Sequence, residues 1–301
     1  MLGKLLGRTA LFGAACVAYG TFIESRSFKV RRVSVPVLPS GSPRIRVLHL
    51  SDAHLLVRNK ARAAFLSSLA GLEPDLVVDT GDNVAEPEAI DTLAESLGRL
   101  LDVPGVFVMG SNDYSGPRFS NPLAYVLHPT TRDGAEAERD LPTDSLRAAL
   151  SRGGWVDLTQ QRTTLTVNGL TLELRGTDDA HHGLDDYGEI AGKAAKDAAV
   201  SIGVTHAPYK RVLDAMTADG VKLIFAGHTH GGQVCIPGYG ALTTNCDLPT
   251  RQAKGLSRHK AAGKSSWLHV SAGVGMSPTA PYRFACPPEV TLLTLTPRPV
   301  S

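Results

Sequence analysis

The chain has 301 residues, 43% apolar and 20% charged, which supplies a sizeable core and excludes a disordered polymer. That length fits one large α/β domain or two small ones. Lys and Arg number 31 against 29 Asp and Glu, a formal net charge of +2 with no long basic run, which argues against a nucleic-acid partner. Four cysteines (Cys16, Cys235, Cys246, Cys286) contain no C-x-x-C pair, so a disulfide framework is not expected.

The first element is an apolar run. Thr9–Ile23 carries no charge, Lys4 and Arg8 precede it, and from Leu5 the helix would reach about 28 Å at ~1.5 Å per residue. Its end, Tyr19-Gly20-Thr21-Phe22-Ile23, is a poor cleavage site, so an uncleaved transmembrane anchor over residues 1–25 is expected. Arg26, Lys29, Arg31 and Arg32 outnumber Lys4 and Arg8, which leans the main body toward the cytoplasmic side of the cell membrane. Residues 26–44 then read as a linker and an edge strand: Val33, Val35 and Val37 alternate, with Pro36 and Pro39 beside them. Residues 45–301 form the main domain.

Within that domain Ile45–Leu50 reads as a buried strand, Arg58–Gly71 as a helix, Leu76–Thr80 as a strand, Glu86–Leu101 as a helix and Val106–Met109 as a strand. This β-α-β-α-β rhythm predicts a parallel or mixed sheet with helices on its faces. A long loop is expected over Ser115–Leu141, then a helix over Thr143–Leu150. Leu165–Val167 and Leu170–Arg175 flank Asn168-Gly169, a hairpin signal. Val200–Thr205, a helix over Tyr209–Ala218 and Val221–Ala226 resume the rhythm, and Trp267–Val270 and Val290–Leu295 close it. Trp155 and Trp267 are expected in the core, and His49, His128, His259 and His269 in structural or solvated positions.

Five segments place metal-ligand residue types at the C-terminal end of an expected strand: Ser51-Asp52-Ala53-His54, Thr80-Gly81-Asp82-Asn83, Gly110-Ser111-Asn112-Asp113, Thr205-His206-Ala207-Pro208 and Gly227-His228-Thr229-His230-Gly231-Gly232. Ligands of open α/β sheets bind at that edge. Asp52 and His54, like His228 and His230, are two apart and share one side of an extended backbone. A single strand-end Asp or His is usually a cap or a structural residue. Asp52, His54, Asp82, Asn112, His206, His228 and His230 together make a mixed oxygen and nitrogen set that suits Mn, Fe or Zn ions.

In this order the motifs resemble those of the calcineurin-like metallophosphoesterase superfamily, from about Ile45 to the C-terminus, with SDAH and GHTHGGQ the most specific parts. The resemblance implies an α/β fold, a four-layer sandwich of two mixed β-sheets flanked by helices, with two divalent metal ions between the strand ends. It implies that Asp52, His54 and His230 bind one ion, His206 and His228 the other, and Asp82 bridges them. It further implies hydrolysis of a phosphodiester, pyrophosphate or phosphomonoester by a metal-bridging hydroxide. An apolar segment before the domain resembles a bacterial branch in which some relatives act on lipid-linked phosphates, so a lipid-linked substrate is an expectation.

The third motif departs from the family's GNHD. Letter for letter, the Asn ligand falls on Ser111 and the catalytic His on Asn112. A Ser hydroxyl is the poorer ligand, so Asn112 is expected to take the ligand role through a local shift, with Asp113 orienting it. The usual proton donor is then missing. Gly176-Thr177-Asp178-Asp179-Ala180-His181-His182 follows a hairpin strand and could supply a substitute from Asp179 or His181; a plain polar loop is an equal reading. A rival from another class is a membrane-associated metal-binding module that has lost turnover, and turnover of an activated diester discriminates the two.

Overall fold

The computed structural model describes residues 2–117 and 139–299. Most of the loop expected over Ser115–Leu141, and His128 with it, lies outside the described residues.

Two six-stranded mixed sheets pack face to face. The first has the order β1 (Lys29–Leu38), β14 (Glu289–Pro297), β2 (Ile45–Leu50), β3 (Leu76–Asp79), β4 (Gly105–Phe107), β5 (Val156–Asp157). Its β2, β3, β4 and β5 run parallel, while β14 lies antiparallel to β2 and parallel to β1. The second has the order β12 (Gly255–Ala261), β13 (Lys264–Val270), β9 (Leu223–Ala226), β8 (Val200–Thr205), β7 (Leu170–Gly176), β6 (Gln161–Val167), parallel from β13 through β7 and antiparallel at both edges. A two-stranded ribbon joins β10 (Cys235–Ile236) to β11 (Gly240–Ala241).

The inner strands of both sheets are largely apolar on both faces because both faces are covered. Val47, Val78, Val106 and Leu293 of the first sheet meet Leu172, Leu174, Ile202, Val204 and Phe225 of the second. On the outside of the first sheet, Leu48, Val77 and Phe107 pack against Leu66, Leu93 and Leu146 from the helices Lys60–Ser68, Ala89–Leu97 and Thr143–Ser151. On the outside of the second, Ile224, Leu268 and Val270 pack against Val212, Leu213 and Met216 of the helix Lys210–Asp219. The four-layer sandwich of two mixed sheets is thus the architecture. Trp155 is buried under β4, and Trp267 is half-buried with the Arg258 guanidinium 4.0 Å over its ring.

The N-terminal segment corrects one expectation. Leu2–Phe22 is a helix, yet among the described residues no helix is long and apolar enough to cross a membrane. Lys4, Arg8 and the glycines Gly3, Gly7, Gly13 and Gly20 dilute its apolar residues. Its C-terminal end is docked on the domain. Gly20 packs so closely that a Cβ there would lie 2.5 Å from the Arg283 carbonyl oxygen, and the Tyr19 ring meets Phe284 edge-on at 6.2 Å. The buried Glu24 carboxylate accepts the backbone N–H of Ala285 (3.0 Å) and of Cys286 (2.6 Å).

Candidate metal centre

Parallel strands end at one edge, so β2, β3 and β4 in the first sheet and β7, β8 and β9 in the second deliver their following loops to one cleft. Backbone bonds set the loops against each other: Asp52 N–H to Gly81 O and His54 N–H to Asp82 O, each 2.8 Å, and Gly227 N–H to His206 O, also 2.8 Å. Gly81 allows the approach of two such loops. At φ +89°, an added Cβ would lie 2.3 Å from the Gly110 nitrogen. Asp52, His54, Asp82, His228 and His230 all adopt left-handed φ between 39° and 67°. For non-glycine residues this costs energy, and such strain concentrates at functional sites.

One ligand atom from each of Asp52, His54, Asp82 and His230 falls within 4.8 Å of the others. His54 Nε2 lies 3.2 Å from His230 Nε2 and 3.3 Å from Asp82 Oδ2, and His230 Nε2 lies 3.6 Å from Asp52 Oδ1. Asp52 also accepts the His228 backbone N–H at 3.0 and 3.1 Å, and the Ser51 hydroxyl. On the far side of Asp82, His206 donates Nδ1–H to the Thr80 carbonyl (2.7 Å), which turns its Nε2 toward Asp82 Oδ2 at 3.5 Å. The His206 ring lies 5.3 Å from that of His228. Asn112 completes this side: its backbone and side-chain amides reach Asp82 at 2.7 and 2.8 Å.

Electrostatics follow from burial. Desolvation, opposed mainly by His206, raises Asp52 to about 6. Burial would raise Asp82 too, but the His206 and His54 imidazoles hold it well below the usual carboxylate range. Desolvation pushes His54 and His228 down to about 4 and His230 well below its ordinary value, so these rings are neutral and offer lone pairs. Buried His206 Nε2 has no hydrogen-bond partner, and two imidazole nitrogens stand 3.2 Å apart at His54 and His230. The facing lone pairs of His54 and His230 beside Asp82 fit one divalent cation, and His206 Nε2, once its proton is displaced, fits a second on the other side of Asp82.

The remaining expected residues fall around this cluster. Ser111 does not face Asp82; its hydroxyl donates to Asp179 Oδ2 at 2.7 Å, and His182 Nδ1 lies 2.7 Å from the same oxygen. The His181 ring lies 4.5 Å from that of His228, tilted 45° to it, and bonds the Tyr209 hydroxyl at 3.0 Å; burial, then His228, lowers it to about 3. Asp113 does not orient Asn112, as its position suggested. Fully buried, it accepts the backbone N–H groups of Asp82 (2.8 Å), Asn83 (2.7 Å) and Gly110 (2.9 Å), and so clamps two metal-edge loops together. Two contributors carried no motif. The Asn245 carbonyl lies 3.0 Å from His228 Nε2, and buried Arg283 donates to the carbonyls of Ala272 (2.6 Å) and His230 (3.3 Å) beneath the ligand loop. His49 and His269 are buried partners, 2.7 Å apart through their Nδ1 atoms, and link the two sheets behind the site. His259 pairs with Asp214 at 2.6 Å on the surface.

A family model described as calcineurin-like phosphoesterase matches residues 45–232, more than half of the chain. An uncharacterized metallophosphoesterase of Bacillus subtilis (strain 168), YkuE, is 24% identical over 300 residues, covering 96% of this chain and 93% of the relative. An uncharacterized metallophosphoesterase of Aquifex aeolicus (strain VF5) is 26% identical over 293 residues, covering 95% and 98%. Among solved structures, a dimetal phosphatase from Danio rerio aligns over 77% of this chain and 88% of its own, with 10% identity and a TM-score of 0.39.

Proposed function

The chain belongs to the calcineurin-like phosphoesterase family, a hydrolase of ester bonds with a centre for two divalent metals, and on that premise we propose that it cleaves a lipid-linked phosphate ester at this centre. The observation that carries the reading is the pair of facing donor sets on either side of Asp82: His54 and His230 with Asp52, and His206 with Asn112. Asp52, His54 and His230 would hold one ion, His206, His228 and Asn112 the other, and Asp82 would touch both. When bound, the ions supply Lewis acidity and make a nucleophile from water near neutral pH. The donors suit Mn, Fe or Zn, and manganese is the ion we favour for reconstitution.

The chain's own residues do the rest. Asp113 sets the backbone of Asp82 and Asn83, and the Thr80 carbonyl fixes the His206 tautomer, as partners behind a ligand commonly do. Hydrolysis joins a water oxygen to phosphorus, breaks the P–O bond to the leaving group and puts one proton on the leaving oxygen or into solvent. His181 is our candidate hydrogen-bond donor to the leaving oxygen, supported by its ring lying 4.5 Å from that of His228. Because burial keeps its ring neutral, it favours a leaving group that needs little protonation. Phosphate, with its second pKa near 6, is such a group, so a pyrophosphate bond suits the site better than a simple alkyl ester.

The N-terminal helix supports a location at the cell membrane without spanning it. Leu11, Phe12, Val17, Phe22 and Ile23 are exposed, with Arg8 and Arg26 near them, a composition that binds an anionic bilayer surface. We place the domain on the cytoplasmic side. The test of the hydrolytic reading is Asp82→Asn in protein reconstituted with Mn²⁺. Turnover of bis(p-nitrophenyl) phosphate should fall by roughly 10²-fold or more, together with metal affinity. Near-wild-type turnover in that variant overturns the two-metal mechanism, and wild-type protein that takes up metal without turning over any ester is a binding module instead.

A further inference from the structure

A groove of about 410 Å³ runs from His54 to the end of the N-terminal helix, within the size range of small-molecule sites. Arg26, Arg58, Lys60 and Arg62 line it, and no carboxylate does. Arg62 is the unusual member. It is 8% exposed, its Nη1 donates to the carbonyls of Ala53 and His54 at 2.7 Å each, and its buried Nε has no partner. Among the described residues no carboxylate stands within ion-pair distance of it, and a buried cation left without a counter-charge is costly. Phe22, Phe28, Leu56 and Met276 also line the groove, with Phe28 stacked on Phe65 at 4.8 Å. The groove therefore combines four cations with apolar side chains beside a metal-ligand residue.

We propose that this groove is the substrate subsite for an amphipathic diphosphate, taking the second phosphate between Arg62, Arg58 and Lys60 and the hydrocarbon chain against Phe22, Phe28 and Met276. The proposal rests on the hydrolytic reading above and names the substrate class for the same centre. The docked helix end is part of the site, because Phe22 supplies its outer wall. A free diphosphate shares the anionic chemistry and lacks the chain.

The test uses full-length protein. Basal activity is turnover of bis(p-nitrophenyl) phosphate with Mn²⁺, and kcat/KM is compared for dodecyl diphosphate, ethyl diphosphate and dodecyl phosphate. Binding of dodecyl methylenediphosphonate and of inorganic diphosphate is followed by calorimetry. Dodecyl diphosphate should exceed each of the other two esters at least tenfold. Phe22→Ser, at a residue 64% exposed, should erase the chain preference. Arg58→Glu combined with Lys60→Glu, both exposed, should erase the diphosphate preference. Arg99→Glu, a charge reversal ahead of β4 at the other edge of the sheet, should leave basal activity and both preferences within twofold of the wild type. Equal kcat/KM for the three esters, preferences that survive the variants, or inorganic diphosphate binding as tightly as the dodecyl probe overturns the proposal. Two results separate the groove from the chemistry. If the protein hydrolyses no ester yet binds the dodecyl probe with the expected sensitivity to the variants, the hydrolytic reading falls and the groove stands. Robust basal turnover with no binding of the probe removes the groove alone.

Discussion

The Ser111 hydroxyl donates to the Asp179 carboxylate across 2.7 Å, which ties the loop after β4 to the loop after β7 and turns Ser111 away from Asp82. Its neighbour Asn112 faces Asp82 instead, and a half-turn of its terminal amide presents the oxygen at the same point. Asn112→Ala should weaken one of the two metals by roughly 10–100-fold, the scale of losing an organised contact at a metal site. Ser111→Ala should cost metal affinity far less. Metal titration of the two variants checks the order, and a larger loss in Ser111→Ala reverses the assignment.

Asp113 touches no candidate ligand side chain, yet it accepts three buried N–H groups from the loops that carry Asp82 and Asn112. Asp113→Ala leaves those donors unsatisfied and frees the two loops. The expected result is a roughly 10–100-fold drop in metal affinity with Asp82 itself intact, accompanied by a lower melting temperature. Asp113→Asn should recover part of both, since its amide oxygen still accepts. If Asp113→Ala binds metal as the wild type does, Asp113 has no part in placing Asp82.

Proton release reports on His206. Burial alone would lower its pKa, but Asp82, Asp52 and Asp179 pull it well above the ordinary value, so at neutral pH the metal-free ring is charged. The raised pKa means that the proton is held through neutral pH and leaves only on the alkaline side. A divalent ion that uses Nε2 must displace it, whereas His54, His228 and His230 are already neutral. Loading at pH 7 should therefore release about one proton, and affinity should fall as the pH falls. Calorimetry in two buffers of different ionisation enthalpy measures this, and zero release would place the metal elsewhere.

Truncation should separate the exposed and docked parts of the N-terminal helix. Removal of residues 2–15 deletes Leu11 and Phe12 and leaves Gly20 and Glu24 in place. It should reduce co-sedimentation with phosphatidylglycerol vesicles while leaving the melting temperature unchanged. Removal of residues 1–25 also deletes the Glu24 carboxylate that accepts Ala285 and Cys286, and should destabilise the domain by about 1–3 kcal/mol. Thermal melts that do not distinguish the two truncations would show that the docked end contributes nothing.

The strand-end ligands were legible because glycine and ligand types recur at the ends of apolar strands, where geometry brings parallel loops together. Val47, Val77 and Ile202 announce buried strands by composition alone. What was illegible has a common physical origin in groups that act through the backbone or at solvated edges. Asp113 reads as part of a motif, but its partners are N–H groups, which no side-chain pattern encodes. Asn245 acts through its carbonyl, and Arg283 through the carbonyls it collects. The edge strand Gly255–Ala261 escaped because Arg258 and Lys260 face water and the residues between and before them, Ser257 and His259, are polar as well, which leaves no apolar alternation. The apolar run before Ile23 proved helical, but hydropathy could not tell that its end rests on protein.

The order β1-β14-β2 has a consequence for how the chain is made. Among the described residues β1 pairs with 289–297 and with no other strand, and β2 needs the same residues to cover its outer edge. β1 therefore waits for β14 to leave the ribosome. Until then the nascent polypeptide carries one orphan strand and one open sheet edge. Closure joins segments at opposite ends of the sequence, the kind of long-range pairing that slows folding. A message truncated before Glu289 yields a protein that retains all of its candidate ligand residues yet offers the β2 edge as a template for aggregation.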